Sequence, residues 1–209
     1  MLLEGAGHRP PLPDDPPSFR TPGDLQAQAD ASGRIPLATA VLGPSAGHGA
    51  LSAPLADFTV MTEQASIFTA GPPLVKASLG EDITKEELGG PDIALHSGVI
   101  HNLASNDESA LEQIRTWLSY LPSSAWQAPT RLKDAEGERN VNELLDIIPE
   151  NPRQAYDMHD VINVVADTGS VFTIQSMFGQ SLITCFARLS GRPVAIVANQ
   201  PQHMAGSIT

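Results

Sequence analysis

The residues best placed to do chemistry form one run: Leu42-Gly43-Pro44-Ser45-Ala46-Gly47-His48-Gly49-Ala50-Leu51-Ser52-Ala53-Pro54. A glycine-rich turn between a strand and a helix leaves backbone N–H groups unpaired and aimed at one spot. Such a spot holds an anion, or an oxyanion that forms during a reaction. His48 admits two readings. Its imidazole is a general base or oxyanion donor, or only its backbone N–H matters and the ring packs nearby; the second reading is adopted.

The other motifs that carry chemistry do not compete with this turn. No Lys-Ser or Lys-Thr pair follows the glycines, so there is no P-loop. Gly47-His48-Gly49 lacks the third glycine of a dinucleotide fingerprint, and no Gly-x-Ser-x-Gly elbow occurs. The histidines are scattered without ligand spacing and Cys185 stands alone, so no metal site is expected. Cys185 lies in the apolar run Leu182–Ala187 and reads as a small buried hydrophobe. His159, in Asp157-Met158-His159-Asp160, sits where such groups cap a helix start.

The elements that must hold the turn are legible from pattern. Ile35–Leu42 reads as a buried strand running into it. Met1-Leu2-Leu3 reads as the end of a strand, and Glu4–Arg9 as the loop after it. The proline-dense stretch Pro10–Pro22 excludes regular structure, and Asp24–Ala31 reads as a short helix. Downstream, Phe58–Met61 and Ser66–Thr69 read as strands, and Gly71-Pro72-Pro73 opens a helix through Leu79. Thr84–Gly90 is a short helix with a Thr84/Glu87 capping box, stopped at Gly89. Gly98–His101 reads as a strand. Glu108–Tyr120 reads as a helix capped by Asn106 or Asp107, with Leu111, Ile114, Trp117 and Leu118 inward.

From Leu121 to Pro152 the pattern weakens into a solvated linker. A helix over Asp157–Asp167 follows, with Val161, Val164 and Val165 inward. Strands at Val171–Ile174, Ile183–Leu189 and Pro193–Ala198 come next, the last two joined by a hairpin turn at Arg188-Leu189-Ser190-Gly191-Arg192. Because the chain starts on the end of a strand and stops without a closing helix, it is expected to be an internal or truncated portion of a longer protein.

Composition narrows the partners. The 209 residues carry a formal net charge of −12. That excess of negative charge argues against general nucleic-acid binding, which needs a positive surface. No stretch is long enough to span a membrane, and the N-terminus lacks the apolar core of a signal peptide. A soluble, reducing, cytoplasmic compartment is expected.

Several segments together resemble one family, the carboxyltransferase (β) subunits of biotin-dependent acyl-CoA carboxylases. The run Gly43–Gly49 resembles its Gly-Pro-x-Ala-Gly-Gly turn, and Asp57-Phe58-Thr59-Val60-Met61 its next strand. Phe68–Lys76, Gly80-Glu81 with Thr84–Gly90, Leu118–Pro122, Tyr156-Asp157-Met158 and Gly191–Pro201 fit further family motifs. The resemblance implies an α/β (α+β) fold of crotonase-like ββα superhelices. Residues 1–121 would be part of the N-terminal domain, 122–151 a linker, and 152–209 the start of the C-terminal domain. It implies transfer of CO₂ from carboxybiotin to the α-carbon of an acyl-CoA through an enolate held by backbone N–H groups.

Carried over, the catalytic residues are Gly47 and His48, with Gly49 as the alternative second donor. Gly5, Ala6, Gly7 and Ala46 lie at the CoA thioester. The implied partners are a biotin carboxylase and biotin carboxyl carrier subunit, with a homo-hexamer as the assembly. The sequence departs from the family where His48 replaces a glycine, where Ala70 is inserted, and after Gly89-Gly90, where the segment is one residue short and His96 is nearby. It also ends before the family's second glycine-rich turn, which holds biotin. A non-catalytic or assembly fragment of the family, or a related acyl-CoA decarboxylase subunit, is the alternative.

Overall fold

The computed structural model describes residues 1–5, 14, 23–133, 141–151 and 153–208. The chain divides into two compact units, residues 1–114 and 115–209. No helix among the described residues is long and apolar enough to cross a membrane.

The first unit is a mixed α/β structure on a parallel sheet. Its elements in order are β1 (Leu2–Gly5), α1 (Gly23–Ala31), β2 (Ala38–Ala46), a 3₁₀ segment (Gly47–Ser52), β3 (Phe58–Thr62) and β4 (Ser66–Phe68). Then come α2 (Pro72–Leu79), α3 (Lys85–Gly89), α4 (Pro91–His96), β5 (Asn102–Ala104) and α5 (Asp107–Ser119), within which the first unit ends. The sheet order is β1-β2-β3-β5, with β4 also on β2. Strand β2 is central and long. Its first half, Ala38–Val41, pairs with β3, and its second half, Pro44–Ala46, pairs with β4. All these pairings are parallel, so β3 and β4 follow each other in sequence without pairing together.

This arrangement corrects the expected end of the strand. Gly43-Pro44-Ser45-Ala46 is not turn but strand, and the turn begins at Gly47. Glycine and proline weaken a strand in isolation. Here the second partner, β4, supplies the ladder that local propensity lacks. A Cβ at Gly43 would meet Glu4 Cγ at 2.8 Å, so the exposed Glu4 side chain would have to shift.

The core beneath the sheet is continuous. Val41, Met61, Ile67, Leu95 and Ile100 pack with Ala50, Ala53, Ala65 and Ala94 in one cluster. Phe58, Val60, Met61 and Val41 are fully buried, as strands covered on both faces should be. Helix α3 approaches β4 so closely that an added Cβ at Gly89 would lie 1.9 Å from the Ile67 carbonyl oxygen. The expected capping box is present: Thr84 Oγ1 accepts from Glu87 N at 3.1 Å, and Glu87 Oε2 accepts from Thr84 N at 2.9 Å.

Two readings are corrected downstream. Helix α4 occupies Pro91–His96, where no helix was expected, with Gly90 and Pro91 forming its start. Its end consumes the predicted strand Gly98–His101. Gly98 adopts φ +76, and the N–H groups of Gly98 and Ile100 fold back onto Leu95 and Ala94 carbonyls. The strand therefore starts at Asn102. His101 docks on Thr59 instead, receiving the Thr59 N–H at Nδ1 (3.2 Å) and donating its own N–H to Thr59 Oγ1 (2.9 Å). In α5, Asn106 caps through Oδ1 to the Ser109 N–H (2.9 Å). Ala110 and Trp117 are its buried residues, while Leu118, expected inward, is 45% exposed.

The second unit is an antiparallel three-stranded sheet in the order β6 (Phe172–Ile174), β7 (Leu182–Leu189), β8 (Arg192–Asn199), with α6 (Leu144–Ile147) and α7 (Met158–Val165) before it. Helix α6 falls in the stretch read as linker. Helix α7 turns Ile162 inward against Ile183 and Cys185, with Met158 beside it. Val165, expected inward, is 41% exposed. The hairpin turn is Ser190-Gly191, with φ +48 and +78, the left-handed pair that a tight two-residue hairpin demands. Asp167 secures it by accepting both turn N–H groups, at 2.8 and 2.6 Å. Arg188 is buried with its guanidinium 4.9 Å from the Tyr120 ring centroid, donating to the carbonyls of Ser119, Thr130 and Gly191.

Candidate functional site

The end of β2 delivers the chain into the turn. Ala46 is still extended (φ −121, ψ 148), and Gly47 then switches to φ +71. A side chain pays a steric penalty in that left-handed region, which explains glycine at this position. The switch starts a 3₁₀ helix over Gly47–Ser52. In 3₁₀ geometry each N–H reaches back three residues. The Gly49 N–H is thereby directed at Ala46, whereas those of Gly47 and His48 have no partner within the helix. Helix geometry alone thus leaves Gly47 and His48 as the candidate donors.

A cleft of about 230 Å³ opens at this turn, with Glu4 and Gly5 of β1 on one side and Ser45, Ala46, His48 and Gly49 on the other. Four of the residues singled out from sequence, Gly5, Ala46, His48 and Gly49, therefore line one cleft, and Gly47 lies between two of them in the chain. Ala6 and Gly7 lie outside the described residues. Gly5 is registered to Ser45 across the β1–β2 pair, after a register shift between Leu3 and Gly5, and Ala46 to Phe68 across β2–β4.

The His48 side chain has a partner that sequence spacing did not disclose. Its Nε2 lies 3.0 and 3.1 Å from the two carboxylate oxygens of Asp24, in the first turn of α1. The hydrogen bond to His48 is the main cause that holds the Asp24 carboxyl below its usual range. One helical turn further on, the buried Gln28 donates Nε2 to the Ser52 carbonyl at 2.7 Å. Asp24 and Gln28 share one face of α1, as i and i+4 residues do. They grip the first and last turns of the 3₁₀ segment. Asp24 could have been suspected only as a helix-start acid; nothing in sequence links it to a histidine two elements away.

In the second unit, Asp157 caps α7 as expected, accepting from His159 N at 2.8 Å. Its Oδ1 also meets His159 Nδ1 (2.9 Å) and the buried Gln200 Nε2 (2.7 Å). The Gln200 bond is the leading reason the Asp157 carboxyl is held low. His159 thus joins the hydrogen-bond network at the start of α7. Among the described residues no cluster of His, Cys, Asp and Glu is placed to hold an ion.

Comparison with known proteins shows what the chain as a whole is similar to. Residues 19–209 match the model of the carboxyl transferase domain. The chain is 42% identical over 187 residues to the carboxyltransferase subunit of a propionyl-CoA carboxylase from Haloferax mediterranei, covering 88% of this chain and 36% of that protein. It is 38% identical to a methylmalonyl-CoA decarboxylase subunit alpha from Propionigenium modestum, covering 85% of this chain and 35% of the relative. The crystal structure of the transcarboxylase 12S hexamer with hydrolysed methylmalonyl-coenzyme A superimposes with a TM-score of 0.83 at 36% identity, over 88% of this chain and 37% of that one. The chain thus spans about a third of the length of the relatives it matches.

Proposed function

Because the chain belongs to the carboxyl transferase domain family, we propose that it forms the acyl-CoA half of a carboxyltransferase site in a biotin-dependent acyl-CoA carboxylase. The observation that carries this reading is the Gly47 turn. A left-handed glycine opens a turn whose Gly47 and His48 N–H groups are the candidate donors, beside a cleft edged by Gly5. Two convergent N–H donors stabilise the oxyanion of a thioester enolate at the moment it forms. Gly5, Ala6, Gly7 and Ala46 flank the thioester in this reading, and Gly49 shapes the cleft. The acyl-CoA loses its α-proton, and the enolate carbon receives CO₂ delivered as carboxybiotin by a partner subunit.

The same reading assigns residues 1–121 to an N-terminal crotonase-like domain of ββα superhelix type, 122–151 to a linker and 152–209 to the beginning of a second such domain. The assembly is a hexamer with the biotin carboxylase and carrier subunit as partners. The transcarboxylase 12S relative, a hexamer assembly, supports the hexamer.

The test supplies the full-length protein that carries this chain with its biotinylated partner, labelled bicarbonate and short-chain acyl-CoA substrates. Label should appear in an acyl-CoA product, and Gly47→Val should abolish it by closing the approach to the N–H pair. Absence of label with every acyl-CoA tried rejects the proposal. A second reading, an acyl-CoA decarboxylase subunit, is favoured by the 38% identity to the Propionigenium modestum subunit. It passes through the same enolate in reverse, and release of CO₂ from a methylmalonyl- or malonyl-type thioester would distinguish it.

A further inference from the structure

The Asp24–His48 pair fixes a proton position that the proposed reaction does not use. A carboxylate only accepts hydrogen bonds, so the ring nitrogen facing Asp24, Nε2, carries the proton. The neutral imidazole then keeps its lone pair on Nδ1, and among the described residues Nδ1 has no partner. Nδ1 is also the ring nitrogen nearer the residue's own backbone, whose N–H is one of the two proposed oxyanion donors. This is an orienting carboxylate, a ring held in one tautomer, and a free basic nitrogen beside an oxyanion site.

The orientation is built in. Gln28, only 8% exposed, hooks the Ser52 carbonyl and docks α1 along the 3₁₀ segment, so Asp24 arrives opposite His48. The ring borders the cleft, which Glu4 also lines. The His48 and Asp24 side chains remain 40% and 62% exposed. A side-chain contact that open contributes little to stability. Its geometry is better explained by what the ring can do.

We propose that His48, positioned by Asp24, is a proton-transferring base at the α-carbon of the acyl thioester, so that the site forms and quenches the enolate without carboxybiotin. The inference rests on the acyl-CoA reading above. In the forward step Nδ1 takes the α-proton, and the C–H electron pair becomes the carbon–carbon double bond of the enolate. The carbonyl π pair moves onto the oxygen held by the Gly47 and His48 N–H groups. In reverse the imidazolium returns a proton to carbon. No oxidant or co-reactant is consumed, and in D₂O the returned atom is deuterium.

The experiment incubates the full-length protein with propionyl-CoA in D₂O, without biotinylated partner or bicarbonate, and follows α-deuteration by mass spectrometry. The wild-type protein should exchange. His48→Gly, which installs the family's residue, should slow exchange by about a hundredfold, the usual size of a general-base contribution. Free imidazole added to the His48→Gly protein should restore part of the rate, which a purely structural role would not allow. Asp24→Asn should slow exchange about tenfold without changing the acyl-CoA concentration for half-maximal rate, and Asp24→Glu should recover most of it. If His48→Gly does not fold, the two Asp24 variants carry the test alone. Wild-type carboxylation without exchange overturns this inference and leaves the proposed function standing. Loss of both activities removes the function with it. Equal exchange in wild type and His48→Gly also overturns it.

Discussion

Replacing Gly89 with alanine sets two effects of opposite sign against each other. Alanine in a helix is favoured over glycine by about 1 kcal/mol. Against this, the new Cβ would lie 1.9 Å from the Ile67 carbonyl oxygen and 2.9 Å from its carbon. Both are backbone atoms of β4, so no side chain can swing away. Ordinary contact requires helix α3 or strand β4 to retreat by roughly 1.5 Å, and overpacking of a rigid site costs about 3 kcal/mol. The clash wins, and the net loss should be about 2 kcal/mol. The consequence reaches the site, because β4 pairs with Pro44–Ala46, the strand end that launches the Gly47 turn. Urea unfolding of Gly89→Ala should show a lowered midpoint at unchanged slope. Hydrogen exchange should rise at Ser45 and Ala46. Gly49→Ala, where no atom lies within 4 Å of the added Cβ, should leave the midpoint nearly unmoved. A Gly89→Ala midpoint equal to or above wild type would refute the close approach of α3 to β4.

Other predictions follow from single contacts. Thr84→Ala removes one side of the capping box and should cost about 1 kcal/mol of stability. In that variant the Glu87 carboxyl, held low chiefly by the Thr84 N–H and hydroxyl, should titrate higher by NMR. Burial pushes His101 below its ordinary value of 6.5, so the unfolded chain binds the proton that the folded one refuses. Stability from this group is full above pH 6.5 and is lost as pH falls below it, and pH-dependent unfolding should show that slope. Arg188→Ala leaves the carbonyls of Ser119, Thr130 and Gly191 without their donor and should cost about 3 kcal/mol, measured by thermal or urea unfolding. Cys185 is buried and its thiol is pushed up by desolvation. It should resist alkylation at pH 8 in the folded protein and react at once in denaturant.

Sequence by itself determined the features that depend on neighbours in the chain. The Thr84–Glu87 capping box, the Asn106 and Asp157 caps, the Pro72 helix start and the Ser190-Gly191 hairpin are all local stereochemistry, and each stands where its residues place it. The joint motifs also identified the family, since they record the chain's ancestry independently of its conformation. Only the tertiary structure decided the rest. Gly43–Ala46 became strand because β4, arriving later in the chain, offered a ladder that no local propensity could announce. Gly98–His101 ceased to be strand because the end of α4 needed its N–H groups. Val165 and Leu118 turned outward because the core selects the helix face it can reach. Asp24 met His48 because a buried Gln28 docks one helix on a distant turn. Partners separated by many residues are brought together by burial and hydrogen bonding, and those energies are set only once the whole chain has folded.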